Sequence, residues 1–414
     1  MGRRKLLLAV LAGVAAGTLW AKSDAGPASF ARPAPRDPAT VWDRKELYRA
    51  PKTWGNQDPF RGEVSPMWIE GVPYRGKPTR AFAFFGIPPH ASPTNKVPGI
   101  VLVHGGLGTA YPEWVRLWVR RGYAAIAVDN CGQLPALGLD GKWIANPDGG
   151  PRGWGRIDCV DEPLADQWPY HAVAVNIRAH SYLRALPSVD ASRIGTTGIS
   201  WGGFLLGALV AADDRFAYAM PVYGCGFNYE RGGITWSQKG VEKWSALWDP
   251  VVYLPYAKCP FLWLDGTNDF AFTLDRVRRS AALAPAEHAF STILRMPHGH
   301  GKAGEAPAEL RAFADHYAFG RPDVVRFSDI AEKDGRVTAS FRAEGRRIVR
   351  AELLHTCDGA DVEPRKRLWK ALPLADFDPA SGRVSAVLPE GVFAYCVNLV
   401  DADGVVHSTP YAER

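Results

Sequence analysis

Gly198-Ile199-Ser200-Trp201-Gly202 places a serine between two glycines at the spacing G-x-S-x-G. An apolar segment, residues 193–199, enters this pentapeptide, and a segment rich in Gly, Phe and Leu leaves it. Glycines on either side let a strand turn sharply into a helix, and the turn forces the hydroxyl into a strained, exposed position at a sheet edge. A serine hydroxyl is a weak nucleophile at neutral pH. It needs a base to take its proton and an acid to orient that base.

Both types of residue occur downstream, each after an apolar run. Residues 260–264 lead into Asp265-Gly266-Thr267-Asn268-Asp269, and residues 292–296 lead into Pro297-His298-Gly299-His300-Gly301. Asp269 is the preferred acid, because it stands past the strand on a glycine-led turn, whereas Asp265 is placed to close that turn with its own side chain. His300, flanked by two glycines, has the freer backbone and is preferred as the base, with His298 as the alternative. A His-x-His pair also suits a metal, but no third ligand of suitable spacing lies nearby, so no metal site is expected. Acyl transfer further requires N–H donors for an oxyanion. The backbone N–H of Trp201 is one candidate, and Gly106 or Leu107 in His104-Gly105-Gly106-Leu107-Gly108 is the other. Trp201 and His104 are also expected to contact substrate.

The elements that must position these residues are legible as alternating patterns. Apolar strands are predicted at 67–71, 79–87, 99–103, 124–128, 193–199, 218–222, 260–264 and 292–296. Helices are predicted at 110–121, 170–186, 203–211 and 307–318 between or after them. Short apolar strands alternating with helices imply a mostly parallel sheet covered on both faces. Residues 130–168 and 224–248 read as loop-rich. After Pro322 the pattern changes to short alternating runs (324–327, 336–342, 348–355, 383–388, 393–400), which suggest a small antiparallel β-sandwich.

Taken together, Val103-His104-Gly105-Gly106, Gly198-Ile199-Ser200-Trp201-Gly202, Gly266-Thr267-Asn268-Asp269 and His298-Gly299-His300 resemble the α/β-hydrolase superfamily over residues 67–320. Within that span, three further stretches resemble the bacterial acetyl-xylan-esterase-like and dienelactone-hydrolase-like group, itself similar to prolyl-oligopeptidase catalytic domains. They are Asp166-Gln167-Trp168-Pro169-Tyr170-His171, Val222-Tyr223-Gly224-Cys225-Gly226 and Met296-Pro297-His298-Gly299-His300. The resemblance implies an α/β-hydrolase fold, Ser200, Asp269 and His300 as a triad, and no cofactor. It also implies an acylated carbohydrate or other small ester as substrate. Leu107 departs from the pattern, standing where many relatives carry another glycine. A serine peptidase and a non-catalytic carbohydrate-binding protein are the alternatives.

Composition sets the outer bounds. The chain has 414 residues, 47% hydrophobic and 22% charged, which is globular and not disordered. Its formal charge is +6, half of it from Arg3, Arg4 and Lys5, which is too little to argue for a nucleic-acid partner. Residues 1–21 read as a secretory signal, and Arg3-Arg4 permits the twin-arginine type, so the protein is expected to be exported, without stable membrane association once the leader is removed. The expected plan is a signal peptide (1–21), an N-terminal arm (22–66), a catalytic domain (67–320) and a β-sandwich (321–414), with the oligomeric state open. Six cysteines permit disulfides, Cys357 with Cys396 first among them. Of the 15 tryptophans, Trp143, Trp154, Trp168, Trp201, Trp236, Trp244 and Trp248 fall in predicted loops or helix starts. Exposed rings there would stack on sugars, but core and lid packing is the preferred reading for any one of them. Cys225 is expected to be a partnered or buried thiol in preference to a second nucleophile, and His171 and His180 structural.

Overall fold

The computed structural model describes residues 30–55, 63–155, 157–235 and 237–414. The expected leader and Trp236 lie outside the described residues. Among those described, no helix is long and apolar enough to cross a membrane.

The chain begins with β1 (Thr53–Gly55), β2 (Val64–Glu70) and β3 (Arg80–Gly86), which pair antiparallel in sequence order. β2 starts before the boundary drawn at residue 67, and part of the arm before it is anchored: Trp42 is buried against Tyr170, Trp248 and Tyr253. β4 (Val97–Val103) and β5 (Ala124–Val128) follow, then a small hairpin of β6 (Gln133–Leu137) and β7 (Trp143–Ala145). Next come β8 (Val189–Ile199), β9 (Ala219–Val222), β10 (Phe261–Gly266) and β11 (His288–Ile293). Strands β5-β4-β8-β9-β10-β11 lie side by side and parallel, with β3 antiparallel at the β5 edge.

Every residue of β4 and β5 is buried, as a parallel sheet covered on both faces requires. Alternation sorts their side chains: Val101 and Val103 enter one core, Ile100 and Leu102 the other. The helices α1 (Arg44–Leu47), α2 (Pro112–Arg120), α3 (Trp168–Ala185) and α4 (Trp201–Ala212) come first in the chain. They are followed by α5 (Val241–Trp248), α6 (Leu274–Ala281), α7 (Lys302–Glu305) and α8 (Ala308–Phe319). Helices α3 and α4 fill the first core, and α2 and α8 the second. α4 carries no charge and is buried along its whole length.

The C-terminal strands are β12 (Arg326–Lys333), β13 (Arg336–Arg342), β14 (Ile348–Thr356), β15 (Lys370–Leu374), β16 (Phe377–Asp378), β17 (Arg383–Val387), β18 (Ala394–Asp401), β19 (Val406–Ser408) and β20 (Ala412–Glu413). They form two antiparallel layers around a shared core that includes Phe341, Val384, Leu353 and Val397. One layer is not a separate body. β19 pairs antiparallel with β11, at Phe290 and Ser408, so the large sheet runs on into the C-terminal segment.

Three expectations require correction. The loop-rich stretches contain the β6–β7 hairpin and α5, which their glycines and irregular spacing had masked. The strand placed at 292–296 ends at Ile293. Cys357 and Cys396 are not joined: strand register sets Cys396 opposite Leu354, with its thiol on Asn398 Oδ1, while Cys357 lies exposed beyond Thr356.

Candidate active site

The loops that follow β4, β8, β10 and β11 leave the same edge of the parallel sheet, the edge where α/β sheets place their ligands. Ser200 sits between β8 and α4 with φ +57 and ψ −119, a conformation that non-glycine residues rarely adopt. The flanking glycines make the turn possible. A Cβ on Gly198 would lie 2.5 Å from the Gly202 backbone, and one on Gly202 only 2.0 Å from the carbonyl oxygen of Val103.

His298 joins Ser200 to Asp269. Its Nε2 lies 2.9 Å from Ser200 Oγ and its Nδ1 2.6 Å from Asp269 Oδ2. The other carboxylate oxygen, Oδ1, accepts from the backbone N–H groups of Ala271 (2.8 Å) and Phe272 (2.7 Å), which fixes the acid's orientation. The imidazole packs between Tyr223 and Phe270, with ring centroids 4.3 and 4.7 Å away. Asp265 lies inside β10, buried, with Oδ1 accepting from Gly266 N at 2.7 Å. Burial and the neighbouring Asp269 hold its carboxyl well above the usual range.

The preference for His300 is corrected by this geometry. Because β11 stops at Ile293, the segment from Leu294 to Pro297 gives His298 the slack to reach Ser200, with Arg295 turning at φ +50. His300 takes other partners. Its Nε2 accepts from Gly105 N at 3.0 Å, and its Nδ1 pairs with Glu305 Oε1 at 2.9 Å. Burial holds its pKa below the ordinary imidazole value.

The loop after β4 lies directly against the serine. A Cβ on Gly105 would come 3.3 Å from Ser200 Cβ, and one on Gly106 2.6 Å from the Trp201 ring. Leu107 has φ +61 and an exposed side chain, and its carbonyl accepts from Trp143 Nε1 at 2.8 Å. Trp201 N belongs to the first turn of α4, where an N–H has no acceptor within the helix.

Two expected substrate contacts are not made by the side chains named. His104 is buried: its Nδ1 donates to Gly105 O at 2.8 Å and its Nε2 accepts from Asn130 N at 2.8 Å. The Trp201 ring is 4% exposed, enclosed by Trp154, Trp168, Phe204 and Trp244. Trp168, Trp244 and Trp248 are likewise core residues. Cys225 is a buried thiol, with its pKa pushed well up by burial. No group of three or more His, Cys, Asp or Glu side chains placed to hold a metal occurs among the described residues.

Two residues that sequence reasoning passed over support the acid and the histidine loop. Asn268 Nδ2 donates to the carbonyl oxygens of Arg365 (3.1 Å) and Arg367 (2.8 Å), so the C-terminal segment grips the residue beside Asp269. Tyr223, at φ +34, bonds both the carbonyl and the N–H of Gly299 through its hydroxyl and so braces the histidine loop. Neither role had a local signal, since each depends on a contact across 76 residues or more.

A parallel sheet with helices on both faces, and a serine on a strained strand-to-helix turn met by an imidazole and a carboxylate from later strands, decides the architecture. The fold is that of an α/β-hydrolase. Residues 164–321 match the prolyl oligopeptidase family. Among solved structures, the chain is similar to an acetyl xylan esterase from Paenibacillus sp. R4, at 20% identity and a TM-score of 0.51, covering 64% of this chain and 90% of that one. It is also similar to acetyl xylan esterase 1 from Thermoanaerobacterium sp. JW/SL YS485, at 18% identity, TM-score 0.48 and the same coverage. A puromycin-hydrolyzing peptidase of Mycobacterium tuberculosis is similar at 22% identity and TM-score 0.47, covering 64% of this chain and 40% of that one. No curated protein sequence matches.

Proposed function

We propose that this α/β-hydrolase is a serine hydrolase of carboxylic esters. The observation that carries the reading is the continuous hydrogen-bonded series Ser200 Oγ, His298, Asp269. Ser200 Oγ attacks the ester carbonyl while His298 Nε2 takes its proton, and Asp269 stabilises the imidazolium that forms. The negative charge on the carbonyl oxygen is met by the N–H of Trp201 and by that of Gly106 or Leu107. The alcohol leaves with the proton from His298 Nε2, and water, activated in the same way, releases the acid from Ser200.

A small acyl group, most simply acetyl, on a carbohydrate or other alcohol is the proposed substrate. The esterase among the similar structures supports it. The buried tryptophans do not, since they offer no ring faces for sugar stacking. A peptidase is the second reading, favoured by the match of residues 164–321 to the prolyl oligopeptidase family. Export, proposed on the pattern of residues 1–21, belongs to the same reading. Turnover of p-nitrophenyl acetate beside a chromogenic peptide amide separates the two activities. Ser200-dependent release from the ester with little from the amide is expected, and the reverse preference would overturn the ester reading. Profiling on acetylated glycans then defines the alcohol.

A further inference from the structure

Gly105 is held by two imidazoles that take no part in the series described above. His300 Nε2 accepts its N–H at 3.0 Å, and His104 Nδ1 donates to its carbonyl oxygen at 2.8 Å. A third bond, from Gly108 N to the same oxygen at 3.3 Å, closes the turn. In a planar trans peptide the C=O and the following N–H point in opposite directions. Pinning the Gly105 carbonyl therefore aims the N–H of Gly106, one of the candidate oxyanion donors, the other way.

His300 holds the peptide unit on the other side of Gly105, whose N–H its Nε2 accepts, and so fixes the backbone from which that carbonyl projects. Its ring packs against Tyr111 and Trp114, with centroids 4.5 and 5.5 Å away. Glu305 Oε1, 2.9 Å from Nδ1, keeps the proton on that nitrogen and leaves Nε2 as the acceptor for Gly105. Glu305 is itself buried, with its N–H on Gly301 O at 2.8 Å. An imidazole without Glu305 could place its proton on Nε2 instead, where it would oppose the Gly105 N–H.

We propose that His300, oriented by Glu305, is a positioning residue that holds the His104–Gly108 loop in the conformation able to stabilise an oxyanion. The proposal rests on the serine-hydrolase reading and assigns His300 no proton transfer. Hydrogen-bond donors to an oxyanion act on the transition state more than on bound substrate. Loosening the loop must therefore lower kcat and weaken tetrahedral analogues while leaving KM nearly unchanged.

The test compares wild type with Ser200→Ala, His300→Ala and His300→Gln. Each is assayed for kcat and KM on p-nitrophenyl acetate, inhibition by an arylboronic acid, and thermal unfolding. Gln retains an acceptor at the position of Nε2. His300→Ala is expected to lose roughly 10²-fold in kcat, with KM within about threefold and a parallel loss of boronate affinity. His300→Gln is expected to recover at least tenfold of that kcat and to unfold near the wild-type temperature. Wild-type kcat and boronate affinity in His300→Ala would overturn the proposal. So would a loss in both variants that follows the unfolded fraction and spares boronate affinity. Absence of Ser200-dependent turnover in the wild type would instead overturn the hydrolase reading, and this proposal with it.

Discussion

The side-chain amide of Asn268 donates to the carbonyl oxygen of Arg367 at 2.8 Å, across 99 residues of chain. This bond and its neighbour to Arg365 tie the turn that carries Asp269 to the C-terminal segment. A cavity of about 70 Å³ lined in part by Asp269, Arg367, Trp369 and Tyr411 lies along the same contact. The connection between β14 and β15 thus braces the turn that carries Asp269. Asn268→Ala is expected to cost about 1 kcal/mol of stability and to lower kcat roughly tenfold. Unchanged kcat at unchanged unfolding temperature would separate the C-terminal segment from the chemistry.

Asp269→Asn keeps the shape of the side chain but replaces the carboxylate that faces His298 Nδ1 at 2.6 Å. Without that charge, the tautomer with its proton on Nδ1 and the developing imidazolium both lose support. kcat on an ester should fall roughly 10³- to 10⁴-fold with the fold intact by circular dichroism. A loss under tenfold would show that Asp269 does not serve the base. Asp265, whose carboxyl is buried in β10, would then be the next acid to test.

The turn at Ser200 tolerates no side chain at Gly202, where a Cβ would stand 2.0 Å from Val103 O at the end of β4. Gly202→Ala must push α4 away from β4. The expected cost is about 3 kcal/mol or more, read as a lowered denaturant midpoint or as loss of soluble protein. Wild-type stability in this variant would contradict the packing described.

Acid should destabilise the fold through buried histidines. His171 is buried with Nε2 on Ala165 O at 2.7 Å, and burial lowers its pKa to about 4 from an ordinary 6.5. The unfolded ring takes up its proton as pH falls through 6.5, whereas the folded ring stays neutral until about 4. The native state therefore loses stability as pH drops across that window, by on the order of 3 kcal/mol from this group. Urea unfolding at pH 7 and pH 4.5 should show a smaller drop for His171→Gln than for wild type, and equal drops would contradict the assignment.

Much of this arrangement is legible in the sequence because its signals are local. The continuous apolar run of β4 and the glycines around Ser200 each state a requirement of the backbone at that point. The choice between His298 and His300 could not be made on such grounds. It depended on where β11 ends, and Leu294 and Met296 continue an apolar pattern past the last paired residue, Ile293. The burial of Trp168, Trp244 and Trp248 agrees with the preference for core packing, since large rings are most often enclosed, although only tertiary contact fixes their neighbours. Asn268 and Tyr223 carried no signal, since their partners are brought to them by folding.

The most direct test of the central claim, that His298 makes Ser200 nucleophilic, is the rate at which a fluorophosphonate labels the protein, with the modified residue located by mass spectrometry. One label per chain is expected at Ser200 in the wild type. None is expected in Ser200→Ala, and labelling at least about 10³-fold slower is expected in His298→Ala. Labelling of His298→Ala at the wild-type rate, or a label on any residue other than Ser200, would contradict it.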